Sequence, residues 1–169
     1  MKYIIFQTPF GVAAAVISPK GLRRVFIGCN SPEALRKRIA IQFPRATPGV
    51  GRALVKIAFA LNSYFKGQGL KAVFAMDLRW ATSFQKKTYY ILRKTKPGMV
   101  ICYSELARRA GRPGAARAIG TAMSKNQIPI FIPCHRVIKQ NGQIGGFSAP
   151  GGANLKKKLL RLESTDIIK

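Results

Sequence analysis

The sequence predicts a two-part α/β protein, in which strands and helices share the first part and the second part is mainly helical. Residues 2–28 form β-branched runs separated by turn signals, whereas residues 31–65 and 82–125 show helical spacing between caps and glycines. A chain of 169 residues is long enough for two small domains. We expect an N-terminal structural domain over 1–80 and a C-terminal functional domain over 81–169.

Three strands and two helices are predicted in the first part, followed by one more strand. The strands run from Lys2 to Gln7, Gly11 to Ser18 and Leu22 to Gly28, with a turn at 19–21. Ser31 caps a helix that starts at Pro32 and stops before Phe43, and a second helix covers 51–65. The last strand is expected over 74–78.

The second part contains a helix-turn-helix pattern. Thr82 caps a helix that runs to Lys94, Ser104 is the expected N-cap of a short helix over 105–110, and another helix follows from Ala115 to about Lys125. The last of these is rich in alanine and glycine, with Arg117 as its one large charged side chain before Lys125. Such a face either packs against other helices or allows close approach to DNA.

The charge of the chain favours a polyanionic partner. Thirty Lys and Arg residues against five Asp and Glu give a formal net charge of +25. Residues 1–80 hold 13 basic and two acidic residues and the remainder 17 and three, so the excess is not a tail. Nucleic acid explains this distribution better than a membrane surface does, although a generally basic proteome would look similar.

Three dispersed cysteines, at positions 29, 102 and 134, indicate a reducing compartment rather than a disulfide framework. With a single histidine they do not make a zinc motif, so no metal is expected. The apolar opening of the chain is interrupted at Gln7, Thr8 and Pro9, which argues against a signal peptide, and no transmembrane stretch is expected. The interpretation is a cytoplasmic, nucleoid-associated protein.

Residues 133–138, Pro-Cys-His-Arg-Val-Ile, place the only histidine beside a cysteine. A neighbouring imidazole can lower the pKa of a thiol, and the thiolate is the nucleophile. The apolar run over 128–132 would deliver Cys134 from a buried segment into a short turn. Taken alone, the pair is weak evidence, because a buried thiol next to a surface histidine is the commoner meaning of such a dipeptide.

Together these stretches resemble a known family. Residues 113–120, Pro-Gly-Ala-Ala-Arg-Ala-Ile-Gly, then Asn126 and residues 132–138, Ile-Pro-Cys-His-Arg-Val-Ile, are similar to the methylated-DNA–protein-cysteine methyltransferases, the O6-alkylguanine-DNA alkyltransferases. The resemblance covers about residues 82–163. It implies a ribonuclease-H-like α/β N-terminal domain and a helical C-terminal domain with a winged helix-turn-helix-like DNA-binding motif.

The resemblance implies direct repair of O6-alkylguanine, mainly O6-methylguanine, in double-stranded DNA. The protein would bind the minor groove, rotate the damaged nucleotide out of the helix and transfer the alkyl group irreversibly to Cys134. His135 would take the thiol proton through a water, and Glu163 would orient His135. Tyr103 would rotate the flanking phosphate and donate a proton to the departing guanine, and Asn126 would link the recognition helix to the active-site segment.

The implied binding residues form two groups. The carbonyls of Cys134 and Val137 would accept from the guanine amino group, with Ser148 donating toward O6 and Phe147 beside it. Arg117 would fill the gap in the base stack. Further DNA contacts are expected from Tyr103, Ser104, Arg112, Ala115, Ala116 and Gln140. A thioether product has no evident route to hydrolysis, so a single-use monomer without a cofactor is expected; cooperative binding to DNA is left open.

Some residues depart from the family pattern, and two other function classes remain open. Phe147 stands where tyrosine is usual, residues 148–154 are about two residues longer than usual, and Lys158 replaces a common aromatic in the last helix. Glu163 could instead pair with a lysine, and Tyr103 could be a core aromatic. The main alternative function is a non-catalytic protein that recognises alkylation damage; a cysteine hydrolase would need an oxyanion-hole motif that is not evident.

Overall fold

The computed structural model describes residues 1–70 and 72–163. The chain divides into two compact units, Met1–Asp77 and Leu78–Lys169. Within the described residues, the first unit holds a four-stranded sheet and two helices, and the second holds four helices and a two-stranded ribbon. No helix in those residues is long and apolar enough to cross a membrane.

The sheet of the first unit is built from the three predicted strands, which are confirmed. These are β1 (Lys2–Thr8), β2 (Gly11–Ser18) and β3 (Gly21–Cys29), joined as an antiparallel meander. A two-residue strand, β4 (Thr47–Pro48), adds in parallel to β1, giving the order β3-β2-β1-β4. Gly21 must be glycine, because its φ is +121° and a Cβ there would lie 2.2 Å from the carbonyl oxygen of Ala75.

Both predicted helices of the first unit are present. Helix α1 (Pro32–Gln42) begins where the Ser31 hydroxyl accepts from the Ala34 amide at 3.1 Å, and helix α2 spans Arg52–Phe65. Apolar side chains of α1 pack on one face of the sheet. The core cluster there consists of Val12, Ala14, Val16, Phe26, Cys29, Leu35, Ile39 and Phe43.

The strand predicted over 74–78 is wrong. Only Met76 forms an isolated bridge, with Leu22, through hydrogen bonds from Leu22 N to Ala75 O at 2.8 Å and from Asp77 N to Leu22 O at 2.9 Å. The apolar alternation ends at Asp77, whose buried carboxylate accepts from the Ser18 hydroxyl at 2.7 Å. That inward polar contact replaces the side-chain pattern that a longer strand would need.

The second unit contains α3 (Ser83–Leu92), α4 (Tyr103–Arg109), α5 (Ala116–Ser124) and α6 (Gly152–Leu162). Thr82 and Gln85 form a complete capping box at the start of α3. Strands β5 (Ile101–Cys102) and β6 (Val137–Ile138) pair in parallel. This ribbon connects the start of α4 to the segment that follows Cys134.

Helices α4 and α5 form the predicted helix-turn-helix, with one correction. The N-cap of α4 is Cys102, not Ser104, because the helix already begins at Tyr103. Ser104 lies in the first turn, where its hydroxyl is 3.3 Å from the Cys102 sulfur. Pairing of Cys102 with Ile138 in the ribbon fixes the extended residue that precedes the helix, and this pairing is not visible in the local sequence.

Candidate active site

Cys134 opens a single 3-10 turn, Cys134–Arg136, between a buried apolar segment and β6. Its side chain is 4% exposed. The preceding segment folds back on itself, with Ile132 N donating to Ile128 O at 2.9 Å. Ile130 has a φ of 72°, a left-handed conformation that costs a β-branched residue of order 1 kcal/mol. The thiol is therefore carried by a tightly bent and strained segment.

One side chain, Asn126, fixes both this segment and the thiol. Its Nδ2 donates to Ile132 O at 2.9 Å and to the Cys134 sulfur at 3.0 Å, while its Oδ1 accepts from Ile128 N at 3.0 Å. Asn126 is itself buried and lies just beyond Lys125, the C-cap of α5. The amide thus joins the end of α5 to the sulfur through a single residue.

The environment of the Cys134 thiol pulls its pKa in two directions. Burial raises the pKa above its usual value. The hydrogen bond from Asn126, attraction to the Lys156 ammonium and the backbone amides of Cys134 and His135 act in the opposite sense. The net direction is upward, so the resting side chain is a thiol, and a base has to remove its proton before the sulfur can attack.

The next residue, His135, belongs to a buried network with Glu163 and Arg136. His135 Nε2 is 2.9 Å from Glu163 Oε1, and Arg136 donates from Nε to Oε2 at 2.8 Å and from a terminal nitrogen to Oε1 at 2.9 Å. The guanidinium also donates to the carbonyl and hydroxyl oxygens of Thr95. Glu163 is therefore held by a bidentate guanidinium on one side and an imidazole on the other.

This network sets opposite charge states for the imidazole and the carboxylate. Burial alone would raise the pKa of the Glu163 carboxyl, but hydrogen bonds from His135 and Arg136 outweigh it and lower the pKa to about 2. Burial lowers the pKa of His135, and the nearby Glu163 opposes that shift only in part. At neutral pH the site contains a carboxylate and a neutral imidazole, the form of histidine that can accept a proton.

A cavity of about 310 Å³ opens onto Cys134. Four of the residues predicted for the site meet there, since Tyr103, Phe147 and Ser148 line the same space as the thiol. The remaining lining residues come from α5 and from the loop before α6, namely Gly120, Met123, Ser124 and Gly146. The volume lies at the low end of the range for small-molecule sites and is mostly walled by apolar atoms.

Lys156 is a site residue that the sequence reasoning missed. It is 0% exposed on α6, and its Nζ donates to Val137 O at 2.6 Å and to Gly146 O at 3.4 Å. Burial lowers its pKa to about 8, while attraction to Cys134 opposes the shift. The signal was its spacing, because Lys156 lies three and four residues before the buried Leu159 and Leu160 and thus shares the apolar face of α6.

Residues predicted to contact DNA lie on the helix-turn-helix and on a separate turn. Arg117 is exposed on α5, Arg112 is exposed in the connection between the two helices with its guanidinium 5.1 Å from the centre of the Phe84 ring, and Gln140 is exposed in the turn after β6. Ala115 and Ala116 are half-buried at the start of α5. A Cβ added at Gly120 would meet nothing within 4 Å, so this face of α5 is open.

Two further arginines on α4 are engaged within their own helix. The Glu105 carboxylate accepts from Arg108 Nε and Arg109 Nε, both at 2.7 Å, and these bonds lower its pKa to about 2.

No group of three or more His, Cys, Asp or Glu side chains within residues 1–70 and 72–163 is arranged to hold a metal ion. Thiol, imidazole and carboxylate are the reactive groups that the described residues bring together.

Sequence similarity to known proteins places this chain in a family. Residues 83–165 match the family model described as the 6-O-methylguanine DNA methyltransferase DNA-binding domain. A Methylated-DNA--protein-cysteine methyltransferase of Cricetulus griseus is 34% identical over 173 residues, covering 96% of this chain and 82% of the relative. The chain belongs to the methylated-DNA–protein-cysteine methyltransferase family. A relative of the same name from Methanosarcina acetivorans is 32% identical and covers 98% of this chain and 99% of itself.

Solved structures of the family share the fold. The crystal structure of Mycobacterium tuberculosis OGT in complex with DNA superposes with a TM-score of 0.80 at 32% identity, covering 96% of this chain and 92% of that one. The mixed α/β class, with an N-terminal sheet and a helical C-terminal unit, is thereby confirmed. As a member of this family, the chain is a DNA-binding repair methyltransferase that transfers alkyl groups from DNA to a protein cysteine.

Proposed function

We propose that Cys134 is the acceptor cysteine and that it takes the alkyl group from O6-alkylguanine, chiefly O6-methylguanine, in a single irreversible turnover. The observation that carries the proposal is the position of the sulfur. It lies at the cavity, 3.0 Å from the Asn126 amide nitrogen and one residue before the buried His135–Glu163 pair. Cys102 and Cys29 have no comparable base next to them in the sequence.

The proposed base is neutral His135. In the tautomer that donates Nε2–H to Glu163, the lone pair is on Nδ1, which then receives the Cys134 proton through a water. The ionised Glu163 carboxylate stabilises the imidazolium that results. The positive charge formed on His135 therefore has a counter-ion inside the buried site. Asn126 acts earlier, by donating a hydrogen bond that favours the thiolate over the thiol.

The displacement proceeds in one step. A bond forms between Cys134 Sγ and the alkyl carbon as the bond from that carbon to O6 breaks, and the electron pair remains on the guanine. Tyr103, which lines the cavity, supplies the proton that the leaving guanine takes up. Burial and the neighbouring Cys134 raise the pKa of Tyr103, so the phenol is fully protonated at neutral pH and available as a donor.

The proposed pocket recognises the flipped guanine by its edge. Backbone carbonyls of Cys134 and Val137 accept from its amino group, Ser148 donates toward O6, and Phe147 packs against the base. Lys156 already donates to Val137 O, and because a carbonyl oxygen has two lone pairs, one remains for the base. The ammonium therefore orients the carbonyl that reads guanine.

We place the DNA on the helix-turn-helix, with α5 in the minor groove. Arg117 enters the base stack in place of the flipped nucleotide, and the small residues Ala116 and Gly120 allow the helix to come close. Tyr103, Ser104, Arg112, Ala115 and Gln140 contact the flanking backbone. In this proposal residues 81–169 carry binding and transfer, and residues 1–80 support them. The protein acts as a monomer in the reducing compartment that holds the DNA, where its cysteines stay free.

The test is mass spectrometry of the intact protein and its peptides after mixing with a duplex that carries one O6-methylguanine. We expect one added methyl group, located on Cys134, and a one-to-one endpoint when the duplex is in excess. Cys134→Ser should bind the duplex and gain no methyl. Cys102→Ser, which removes another thiol of the same unit, should react like the wild type. A methyl group on a different residue, or turnover of excess substrate, would contradict the proposal.

A further inference from the structure

A buried tyrosine of α3, Tyr89, forms a hydrogen bond to the end of α5. The side chain is 0% exposed, and its hydroxyl donates to Ala122 O at 2.7 Å. Its ring packs against Trp80, with 5.5 Å between the ring centres. A buried phenol usually finds a hydrogen-bond partner, and here the partner is the backbone of another helix. Tyr89 therefore joins α3 to the last turn of α5.

The carbonyl that Tyr89 contacts lies where α5 (Ala116–Ser124) ends and its backbone carbonyls run out of donors within the helix. In a continued α-helix, Ala122 O would accept from the amide of Asn126. That amide instead donates to Met123 O at 3.2 Å, as the last turn tightens. The Tyr89 hydroxyl supplies a donor to Ala122 O from outside α5. It thereby holds the turn from which Asn126 leaves the helix.

The position of Asn126 decides how its amide meets the sulfur. Its Nδ2 donates to Cys134 Sγ at 3.0 Å and to Ile132 O at 2.9 Å, so one amide group serves two acceptors. Hydrogen bonds weaken steeply as their angle closes, so a small displacement of the last turn of α5 alters the bond to the sulfur. Because this bond favours the thiolate, its geometry influences the pKa of Cys134.

Tyr89 lies near the thiol without bringing a charge to it. Burial raises the pKa of the phenol, and a negative charge on Cys134 raises it further, so the hydroxyl keeps its proton at neutral pH. Other titratable groups near Cys134 in the described part of the chain are Tyr103 on α4, Lys156 on α6 and His135 in its own turn. Removal of the Tyr89 hydroxyl leaves all of these groups in place. A change in the titration of Cys134 would then come from the position of Asn126.

We infer that Tyr89 is a positioning residue for the Cys134 thiol: its hydroxyl fixes the C-terminal end of α5 and, through it, the hydrogen bond from Asn126 to the sulfur. A residue of α3, outside the helix-turn-helix, thereby influences the reactivity of the nucleophile. The inference rests on the proposed role of Cys134 as the acceptor. Thiol reactivity and methyl transfer are therefore measured separately, which distinguishes failure of the inference from failure of the proposed function.

The experiment compares the pH dependence of Cys134 reactivity in wild type, Tyr89→Phe and Tyr90→Phe. Each protein is treated briefly with iodoacetamide over a range of pH values, and the modified fraction of Cys134 is quantified by peptide mass spectrometry, with Cys102 as the internal reference. Tyr90→Phe is the matched control, because it removes a hydroxyl that is on the same helix but belongs to a 61% exposed residue. We expect Tyr89→Phe to raise the pH of half-maximal reaction by about 0.5, equivalent to about a threefold loss of thiolate at neutral pH. Tyr90→Phe should match the wild type.

Tyr89→Phe keeps the aromatic ring and its packing on Trp80, so it removes the hydrogen bond alone. Circular dichroism and the fluorescence of Trp80, the one tryptophan of the chain, verify that the variants are folded. A purely structural role would lower reactivity by the same factor at every pH, because it changes the amount of folded protein and not the midpoint. That result, or an equal rise of the midpoint in Tyr90→Phe, would overturn the inference.

A double variant tests whether the hydroxyl acts through Asn126. Asn126→Leu removes the amide, so adding Tyr89→Phe to it should raise the pH midpoint of Cys134 no further. A further rise as large as that in Tyr89→Phe alone would mean that the phenol acts on the thiol directly, and would overturn the inference.

Methyl transfer from the O6-methylguanine duplex is measured on the same proteins at neutral pH. Tyr89→Phe should react about threefold more slowly than the wild type, in line with its smaller thiolate fraction. Wild-type protein whose Cys134 reacts with iodoacetamide but gains no methyl group would contradict the proposed function. The iodoacetamide midpoints would still decide whether Tyr89 positions the thiol.

Discussion

Replacement of Glu163 by Gln is the most informative single change, because one carboxylate holds the buried arginine and, in the proposed mechanism, also stabilises the imidazolium. The substitution keeps the shape of the side chain but leaves the buried Arg136 guanidinium without its anion. Lowering the carboxyl pKa from 4.5 to about 2 corresponds to roughly 3 kcal/mol of stability at neutral pH. Breaking a buried ion pair by removing one partner gives a similar figure, about 3–5 kcal/mol.

The pH dependence follows from the sign of that shift. A carboxyl whose pKa is lower in the folded state contributes its full stability above its unfolded pKa and loses it as the pH falls through 4.5 toward 2. The difference in unfolding free energy between wild type and Glu163→Gln should therefore be roughly 2 kcal/mol smaller at pH 3 than at pH 7. Urea unfolding, followed by circular dichroism at both pH values, measures it.

Glu33→Gln is the matched control, because Glu33 is also a carboxylate in an ion pair with arginine but is exposed. It should change stability little at either pH. Methyl transfer by Glu163→Gln, measured under conditions where the variant is folded, should be slowed because the imidazolium loses its counter-charge. A Glu163→Gln protein as stable as the wild type at pH 7, or a difference that does not change with pH, would refute the reasoning.

Three other changes test separate contacts. Asn126→Leu removes the donor to Cys134 Sγ, so the pH at which transfer reaches half its maximal rate should rise; an unchanged pH profile would contradict this. Arg117→Gln should reduce the repair rate for duplex lesions at least tenfold and leave transfer from free O6-methylguanine unchanged. The control variant Arg109→Gln should affect neither reaction strongly, because Arg109 already pairs with Glu105. Burial lowers the pKa of Lys156 to about 8, so between pH 8 and 10 the folded state binds fewer protons than the unfolded state. As the pH rises from 8 to 10, the wild type should therefore gain stability relative to Lys156→Met. Thermal unfolding of both proteins at the two pH values measures this difference.

The sequence allowed prediction of those parts of the site that depend on neighbours along the chain. Cys134 and His135 are adjacent, and Arg117 belongs to a short helix that follows the Arg112-Pro113-Gly114 turn, so their elements could be predicted from local sequence. Asn126 was assigned through the resemblance, and the structure shows the contacts that it makes. These residues lie within a segment of fewer than thirty residues. Few elements separate them, so their positions within those elements could be assigned from the sequence.

Contacts and burial that depend on residues distant in the sequence could not be predicted in the same way. Lys156 is one of three consecutive lysines, and residue type does not distinguish the buried one from its exposed neighbour Lys158; only the helical spacing to Leu159 and Leu160 does. Its burial depends on how α6 packs within the second unit. The pairing of Met76 with Leu22, which replaces the predicted strand, likewise joins residues that are 54 positions apart in the sequence. The extended state of Cys102 likewise comes from Ile138, 36 positions along the chain.

The Asn126 amide also limits how this protein can be re-engineered. A designer who wants a different DNA preference would exchange α5 for the corresponding helix of a relative and keep the rest. Because Asn126, two residues beyond the end of that helix, positions both the 128–132 segment and the sulfur, a graft that ends at Ser124 with a slightly different helix axis would displace Cys134 as well. Given the proposed roles of Arg117 and Cys134, the smallest interchangeable segment is residues 115–138, which would transfer DNA recognition and the reactive cysteine together.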